Sequence, residues 1–196
     1  MAKKGSQQSS GSVRIIGGKW RSRNLRFVSL DGLRPTGSRI RETLFNWLTP
    51  TIEGARCLDL FTGSGALCFE AISRGADCCI AIEANSQAVS ELRHNQAQLT
   101  ADNLEIVSDD CQRFLERGNI AQPYDIIFLD PPFDMQLHKQ VSRLLISGNW
   151  LASKAQIYCE FPATEAQDLP LSWRLIKDKI AGNVRYCLFE YVEQTA

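Results

Sequence analysis

Four consecutive residues, Asp130-Pro131-Pro132-Phe133, carry the strongest chemical suggestion in the chain. They follow Tyr124-Asp125-Ile126-Ile127-Phe128-Leu129, a short apolar run bounded by turn residues, as a buried strand requires. An aspartate at the carboxyl end of a central strand stands at the mouth of the sheet, where ligands bind in open α/β folds. The two prolines stiffen the following turn, remove its N–H donors and leave carbonyls facing outward. The Asp130 side chain and the Pro131 carbonyl can then accept the two hydrogens of an exocyclic amino group, while Phe133 stacks the base that bears it.

A second constellation precedes this one. Asp59-Leu60-Phe61-Thr62-Gly63-Ser64-Gly65 leads from a strand pattern directly into a helical one. Gly63 and Gly65 let the backbone approach a ligand and leave helix N–H groups free to meet it. A dinucleotide fingerprint G-x-G-x-x-G/A wants a small residue at position 68, where Cys68 stands. Glu83 closes the next strand and can accept both hydroxyls of a ribose, a feature that suits NAD and S-adenosylmethionine equally. The third unit ends in Ser108-Asp109-Asp110-Cys111. There Asp110 can accept from an adenine amino group with the Cys111 N–H meeting the ring, or can simply cap a helix.

Holding these groups at one rim requires parallel strands alternating with helices. Short apolar runs predict strands near 56–60, 78–82, 104–107, 125–129 and 155–161, with helices near 65–74, 86–99, 111–117 and 136–147. After Pro170, residues 173–179 and 184–192 flank Gly182-Asn183 as a hairpin. The expected fold is α/β: five βα units in a Rossmann-like, doubly wound, mostly parallel seven-stranded sheet, closed by an antiparallel C-terminal hairpin. Residues 1–12 read as a disordered tail, 13–50 as a small basic arm and a helix, and 51–196 as the main domain. The helix spans Ser38–Leu48, its apolar positions 40, 44, 47 and 48 following the helical period, with Thr36 or Ser38 as its cap.

At 196 residues, 44% of them hydrophobic, the chain can bury a core without covalent staples. Its 22 basic and 22 acidic residues cancel, which excludes a uniformly basic binder and a disordered acidic chain. The balance is uneven, however. Residues 1–50 hold ten basic residues against Asp31 and Glu42, a net +8, and the remainder is net −8. A basic arm on an acidic body suits a polyanion, with Lys19, Arg21, Arg23 and Arg26 as phosphate contacts, Trp20 as a stacking group, and Arg34 and Arg39 nearer the pocket. Seven cysteines in apolar runs read as small buried hydrophobes, and no spacing of Cys or His builds a metal site. With no signal peptide and no run of 18 apolar residues, a reducing cytoplasm is expected, with no membrane partner.

At the glycine loop and Asp130-Pro131-Pro132-Phe133 the chain resembles amino-methylating class I methyltransferases. Arg14 to Arg21, Leu33-Arg34-Pro35-Thr36, Arg39 to Leu48, Asp59 to Leu67 and the tetrapeptide are similar to the bacterial RsmD family. The resemblance implies an S-adenosylmethionine-dependent enzyme that methylates the N2 amine of guanine 966 in 16S ribosomal RNA, free or within a small-subunit assembly intermediate. It implies the methionine end of the cofactor on Asp59, Phe61, Gly63 and Gly65, the ribose on Glu83, the adenine at Asp110 and Cys111, and the target amine at Asp130 and Pro131, beside Phe133. Two departures stand out: Cys68 occupies a position where Gly is frequent, and Gly37-Ser38 replaces a Thr-Asp pair, so no catalytic role falls on position 38. A monomer is the default. The rival readings are a DNA amino-methyltransferase, an NAD-dependent oxidoreductase, which leaves the tetrapeptide unexplained, and a non-catalytic RNA-binding protein.

Overall fold

The computed structural model describes residues 10–28, 35–132, 137–164 and 168–193. An N-terminal hairpin pairs β1 (Ser10–Arg14) with β2 (Asn24–Val28), with a 3-10 turn at Gly18–Trp20 between them. Helix α1 (Ser38–Leu48) follows. The alternating region runs β3 (Arg56–Asp59), α2 (Ala66–Ser73), β4 (Cys78–Glu83), α3 (Ser86–Leu99), β5 (Leu104–Ser108), α4 (Cys111–Glu116), β6 (Tyr124–Leu129), α5 (His138–Ser147) and β7 (Leu151–Pro162). Strands β8 (Trp173–Ala181) and β9 (Val184–Tyr191) complete a seven-stranded sheet among the described residues, in the order β5-β4-β3-β6-β7-β9-β8.

Pairings among β3 to β7 are parallel, and those of β9 with β7 and β8 are antiparallel. The chain steps outward from β3 to β5, then crosses back to β6 on the other side of β3. That reversal opens a crevice at the carboxyl ends of β3 and β6, between the glycine loop and the Asp130 turn. The period-two alternation of each strand divides the apolar residues between two cores. Cys57, Ile126, Phe128 and Tyr158 face the core under α1, α2 and α3. Leu58, Ile127, Leu129, Ile157 and Cys159 face the one that holds residues of α4 and α5.

Three expectations need correction. The tail was to extend to residue 12, but Ser10, Gly11 and Ser12 pair with Val28, Phe27 and Arg26. Gly11 makes this possible, because a Cβ there would lie 2.3 Å from the Phe27 ring. The fifth βα unit is not one: among the described residues no helix follows β7, which passes to the C-terminal hairpin. Strand β7 also begins four residues earlier than periodicity suggests. Its register with β6 shifts between Tyr124 and Ile126, and Lys154 takes a φ of 62°, so the irregular start carries a polar Ser153-Lys154 that hides it in the sequence.

The basic arm is built into the core. Val13, Ile15 and Leu25 are buried with residues of α1, α2 and α3. The backbone of the 3-10 turn lies so close to α2 that a Cβ on Gly18 would overlap the Ser73 carbonyl. The Ser73 hydroxyl donates to the Gly17 carbonyl at 2.6 Å and accepts the Trp20 N–H at 2.9 Å. Asn95 of α3 acts as a substitute strand partner, accepting the Arg26 N–H at 3.1 Å and donating to the Arg26 carbonyl at 2.7 Å. At the centre lies Glu70 of α2, fully buried, which accepts the N–H groups of Ile16 at 2.7 Å and Gly17 at 2.8 Å and pairs with Arg74 at 2.7 Å and Arg41 at 3.5 Å. The compositional division at residue 50 is therefore no boundary in the packing.

Removing residues 1–28 leaves Glu70 without two of its donors and uncovers the apolar face of α2 and α3. The truncated protein should lose its cooperative thermal transition or melt well below the full chain, and calorimetry reads the difference. Glu70→Ala, which strands the Arg41 guanidinium, should cost about 3–5 kcal/mol in denaturant unfolding.

Candidate active site

Each carboxyl-terminal strand end in the crevice contributes an acid. Asp59 closes β3 and is 2% exposed. Burial raises its carboxyl from 3.8 to about 7, the backbone N–H groups of Cys68 and Phe61 hold it down, and Glu83 pushes it up. Its Oδ2 is buried without a hydrogen-bond partner. Native proteins rarely leave such an atom unsatisfied, and a cationic group seated beside the loop would satisfy it. Behind it, Thr62 donates its hydroxyl to the Asp59 carbonyl at 3.2 Å, and Gly65 takes the left-handed conformation (φ 78°) as N-cap of α2. A side chain at Gly65 would collide with Leu92 and Phe69, so the loop is held close against α2 and α3. Cys68 is fully buried and its thiol donates to the Gly65 carbonyl at 3.4 Å, filling the space behind the loop.

Glu83, at the end of β4, bridges the rim. One carboxylate oxygen accepts the Gly63 N–H at 2.8 Å and the other the Asn85 N–H at 2.7 Å. Lone pairs on both oxygens remain for a diol, and the same side chain fixes the loop it serves. Phe61 is half-buried and packs on the second core. Asp110 caps α4, accepting from the N–H groups of Gln112 at 3.0 Å and Arg113 at 3.1 Å through Oδ1, so the capping role weighed in the sequence is present. Cys111, the first residue of α4, is buried below it. Neighbouring Asp109 is held by Arg113 and Arg117.

Asp130 closes the crevice from the β6 side, with Pro131 buried beside it. Its Oδ2 accepts the Thr36 hydroxyl at 3.2 Å. Burial, together with Glu160 and Asp59 nearby, raises the Asp130 carboxyl well above its usual range, and the Thr36 hydroxyl opposes this. Glu160 lies two residues before the end of β7, level with Asp130, and accepts the Tyr158 hydroxyl at 2.7 Å. Burial raises it too, while the hydroxyls of Tyr158 and Thr36 lower it. His138, at the start of α5, stacks on Phe161 with centroids 4.3 Å apart, and burial pulls its imidazole down to about 4. Phe133 and Arg34 lie outside the described residues.

The sequence assigns Thr36 only a capping role and gives Glu160, Tyr158 and His138 no place at the site. Glu160 had a signal, since an acid at the end of the expected 155–161 strand obeys the rule that selected Asp59, Glu83 and Asp130. Neither Thr36 nor Ser38 caps α1: its N-cap is Gly37, without a side-chain bond, and the Thr36 hydroxyl lies instead against the Asp130 and Glu160 carboxyls. In the arm, Arg21, Arg23, Arg26 and Arg39 are exposed. Trp20 is half-buried, edge-on to Phe69 at 6.5 Å with the Lys19 ammonium over its ring, so much of its surface is committed to packing. Arg21 borders a groove of about 570 Å³ whose walls include Val13, Phe27, Pro35 and Thr36, and Arg26 borders a second beside Glu91 and His94.

The chain is similar to known proteins over most of its length. The family described as conserved hypothetical protein 95 matches residues 13–190. The ribosomal RNA small subunit methyltransferase D of Escherichia coli K12 is 43% identical over 189 residues, covering 96% of this chain and 94% of its own. Its namesake from Haemophilus influenzae is 41% identical over 182 residues, covering 92% and 94%. Among solved structures, the Escherichia coli protein yhhF superposes with a TM-score of 0.83 at 43% identity, covering 94% of this chain and all of that one. A methyltransferase from Geobacter sulfurreducens, 14% identical with a TM-score of 0.64, shares the fold.

The native state holds a proton on Asp59 more tightly than the unfolded chain does between about pH 4 and 7, so this group's contribution to stability is greatest at the acid end and is lost as pH rises through that window. Asp59→Asn should therefore raise the unfolding free energy at pH 8 by up to a few kcal/mol, at about 1.4 kcal/mol per pKa unit, with a higher melting temperature, and leave both unchanged near pH 4. Thermal unfolding of both proteins across that range checks it.

Proposed function

Because the chain belongs to the RsmD family of small-subunit ribosomal RNA methyltransferases, we propose that it transfers a methyl group from S-adenosylmethionine to the N2 amine of guanine 966 in 16S ribosomal RNA. Asp130 carries this reading: an aspartate followed by two prolines, at the carboxyl end of β6, facing the glycine loop across the crevice. An oxidoreductase needs the loop and Glu83 but has no use for an amine-binding turn. The substrate is the RNA itself or an assembling subunit, the working unit is one chain, and the place of action is the bacterial cytoplasm.

When bound, S-adenosylmethionine supplies an electrophilic methyl group on a sulfonium. The Asp59–Gly65 loop would hold its methionine end, with the unpartnered Asp59 Oδ2 meeting positive charge, Glu83 would take the ribose hydroxyls, and the Asp110-Cys111 turn would take the adenine. Guanine N2 is a weak nucleophile because its lone pair is delocalised into the ring. The Asp130 carboxylate and the Pro131 carbonyl accept its hydrogens and favour a pyramidal nitrogen whose lone pair faces the methyl group. Phe133 stacks the base, and alignment of the two reactants supplies much of the remaining acceleration. The exposed arginines of the arm grip phosphates that the acidic body repels.

Asp130→Ala should lower single-turnover methyl transfer by about 10²–10³-fold while calorimetric affinity for S-adenosylmethionine holds. Mass spectrometry of the digested RNA should locate the product as N2-methylguanosine at position 966, and replacing that guanine by inosine, which lacks the amine, should abolish transfer. Transfer by Asp130→Ala at the wild-type rate, or a product at another base, would overturn the assignment. Glu83→Ala should weaken cofactor binding by about 1–3 kcal/mol, by losing the ribose contacts and loosening the Gly63 N–H.

A further inference from the structure

Asp130 is crowded by groups of its own sign: Asp59 from β3 and Glu160 from β7 both act on it, with Tyr158 bonded to Glu160 and His138 of α5 bonded to the Glu160 backbone. A carboxyl in such company needs a donor to fix its orientation. The donor is the Thr36 hydroxyl, 3.2 Å from Oδ2, on the segment that precedes α1. Thr36 is itself held. Arg41, buried in α1, donates from Nε to the Thr36 carbonyl at 3.1 Å and from Nη1 to the Arg14 carbonyl at 3.0 Å, and pairs with Glu70. The carboxylate that seats Ile16 and Gly17 of the arm thus also fixes the guanidinium that fixes Thr36.

Two observations separate this arrangement from incidental packing. The Thr36 hydroxyl reaches Asp130, 94 residues away in sequence, while α1 begins without a side-chain cap that a threonine or serine at its start could supply. Thr36 also forms part of the wall of the groove bordered by Arg14 and Arg21, so a nucleic-acid strand lying there meets the segment that carries the hydroxyl.

We propose that Thr36 is a positioning residue for methyl transfer, its hydroxyl orienting the Asp130 carboxyl toward the target amine and its backbone tied through Arg41 and Glu70 to the seat of the arm. The inference rests on the function proposed above. Because the 3.2 Å hydroxyl contact opposes the upward push on Asp130 and also holds neighbouring Glu160 down, its removal raises the pair together, and the acidic limb of the rate–pH profile moves to higher pH.

The test compares Thr36→Val, Thr36→Ala and Thr36→Ser, with S-adenosylhomocysteine binding as the check of folding. Valine keeps the size and removes the hydroxyl, and alanine replaces it if the valine variant does not fold. Either should lower kcat on 16S RNA by about 10- to 100-fold at unchanged KM, with the acidic limb displaced upward, and serine should restore both. Wild-type kcat and pH profile in the hydroxyl-free variants would overturn the proposal. So would a serine variant as impaired as valine, which places the effect in the lost methyl group, or a raised KM at full kcat, which makes Thr36 an RNA contact. If the wild type itself transfers no methyl to the RNA, the function has failed instead. A carbon-13 titration of Asp130 in wild type and Thr36→Val then still reads the hydroxyl bond, through an upward shift expected in the variant, and its absence overturns the positioning role.

Discussion

A carboxylate with no exposed surface, Glu70, is the point at which three parts of the chain converge. Alone in the core it would be strongly unfavourable, and the fold offsets that cost with donors from the arm, from α1 and from α2 itself. Each donor belongs to a different stretch of sequence, so satisfying the charge fixes their mutual placement. A cluster of hydrocarbon side chains would hold the same elements together with far less directional demand. The charge explains why a short basic hairpin sits rigidly on two helices, and why the segment after it reaches the catalytic rim at a defined height.

At that rim the pattern reverses. The ends of β3, β4, β6 and β7 bring four carboxyl side chains toward one crevice, and three of them, Asp59, Asp130 and Glu160, are displaced upward by burial and by one another. A surface made of acceptors suits a cationic methyl donor and an amine with hydrogens to give. It is hostile to phosphate. The exposed arginines of the arm place positive charge on a different surface, and under the proposed function that surface would hold the polyanion while a neutral base enters the crevice. The uneven distribution of charge along the sequence becomes a division of labour in space.

Much of this was legible before the structure, and for definite reasons. Strands flanked by Gly and Pro, each ending in an acid, follow from the geometry of parallel sheets, so Asp59, Glu83 and Asp130 could be placed by position alone. The packing of the arm into the core is hidden because composition records its arginines, which are exposed, more loudly than Val13, Ile15 and Leu25, which are buried. Arg41 and Glu70 were invisible for a related cause. On helices, charged residues default to the solvent face, and here tertiary partners turn the pair inward: Ile16 and Gly17, more than fifty residues away, on Glu70, and Arg14 and Glu70 itself on Arg41. Thr36 fits a helix cap by every local rule, and its actual partner lies 94 residues away.

The sequence separations of the arm's contacts bear on how the chain acquires its shape during synthesis. Ile16 and Gly17 wait 54 and 53 residues for Glu70, and Arg26 waits 69 for Asn95. The hairpin leaves the ribosome before the helices it docks on, and two short strands alone are marginal in water. During synthesis the hairpin therefore stays undocked until α2 and α3 have emerged. Docking on Glu70 then withdraws the backbone and apolar residues of the hairpin while leaving its arginines outside.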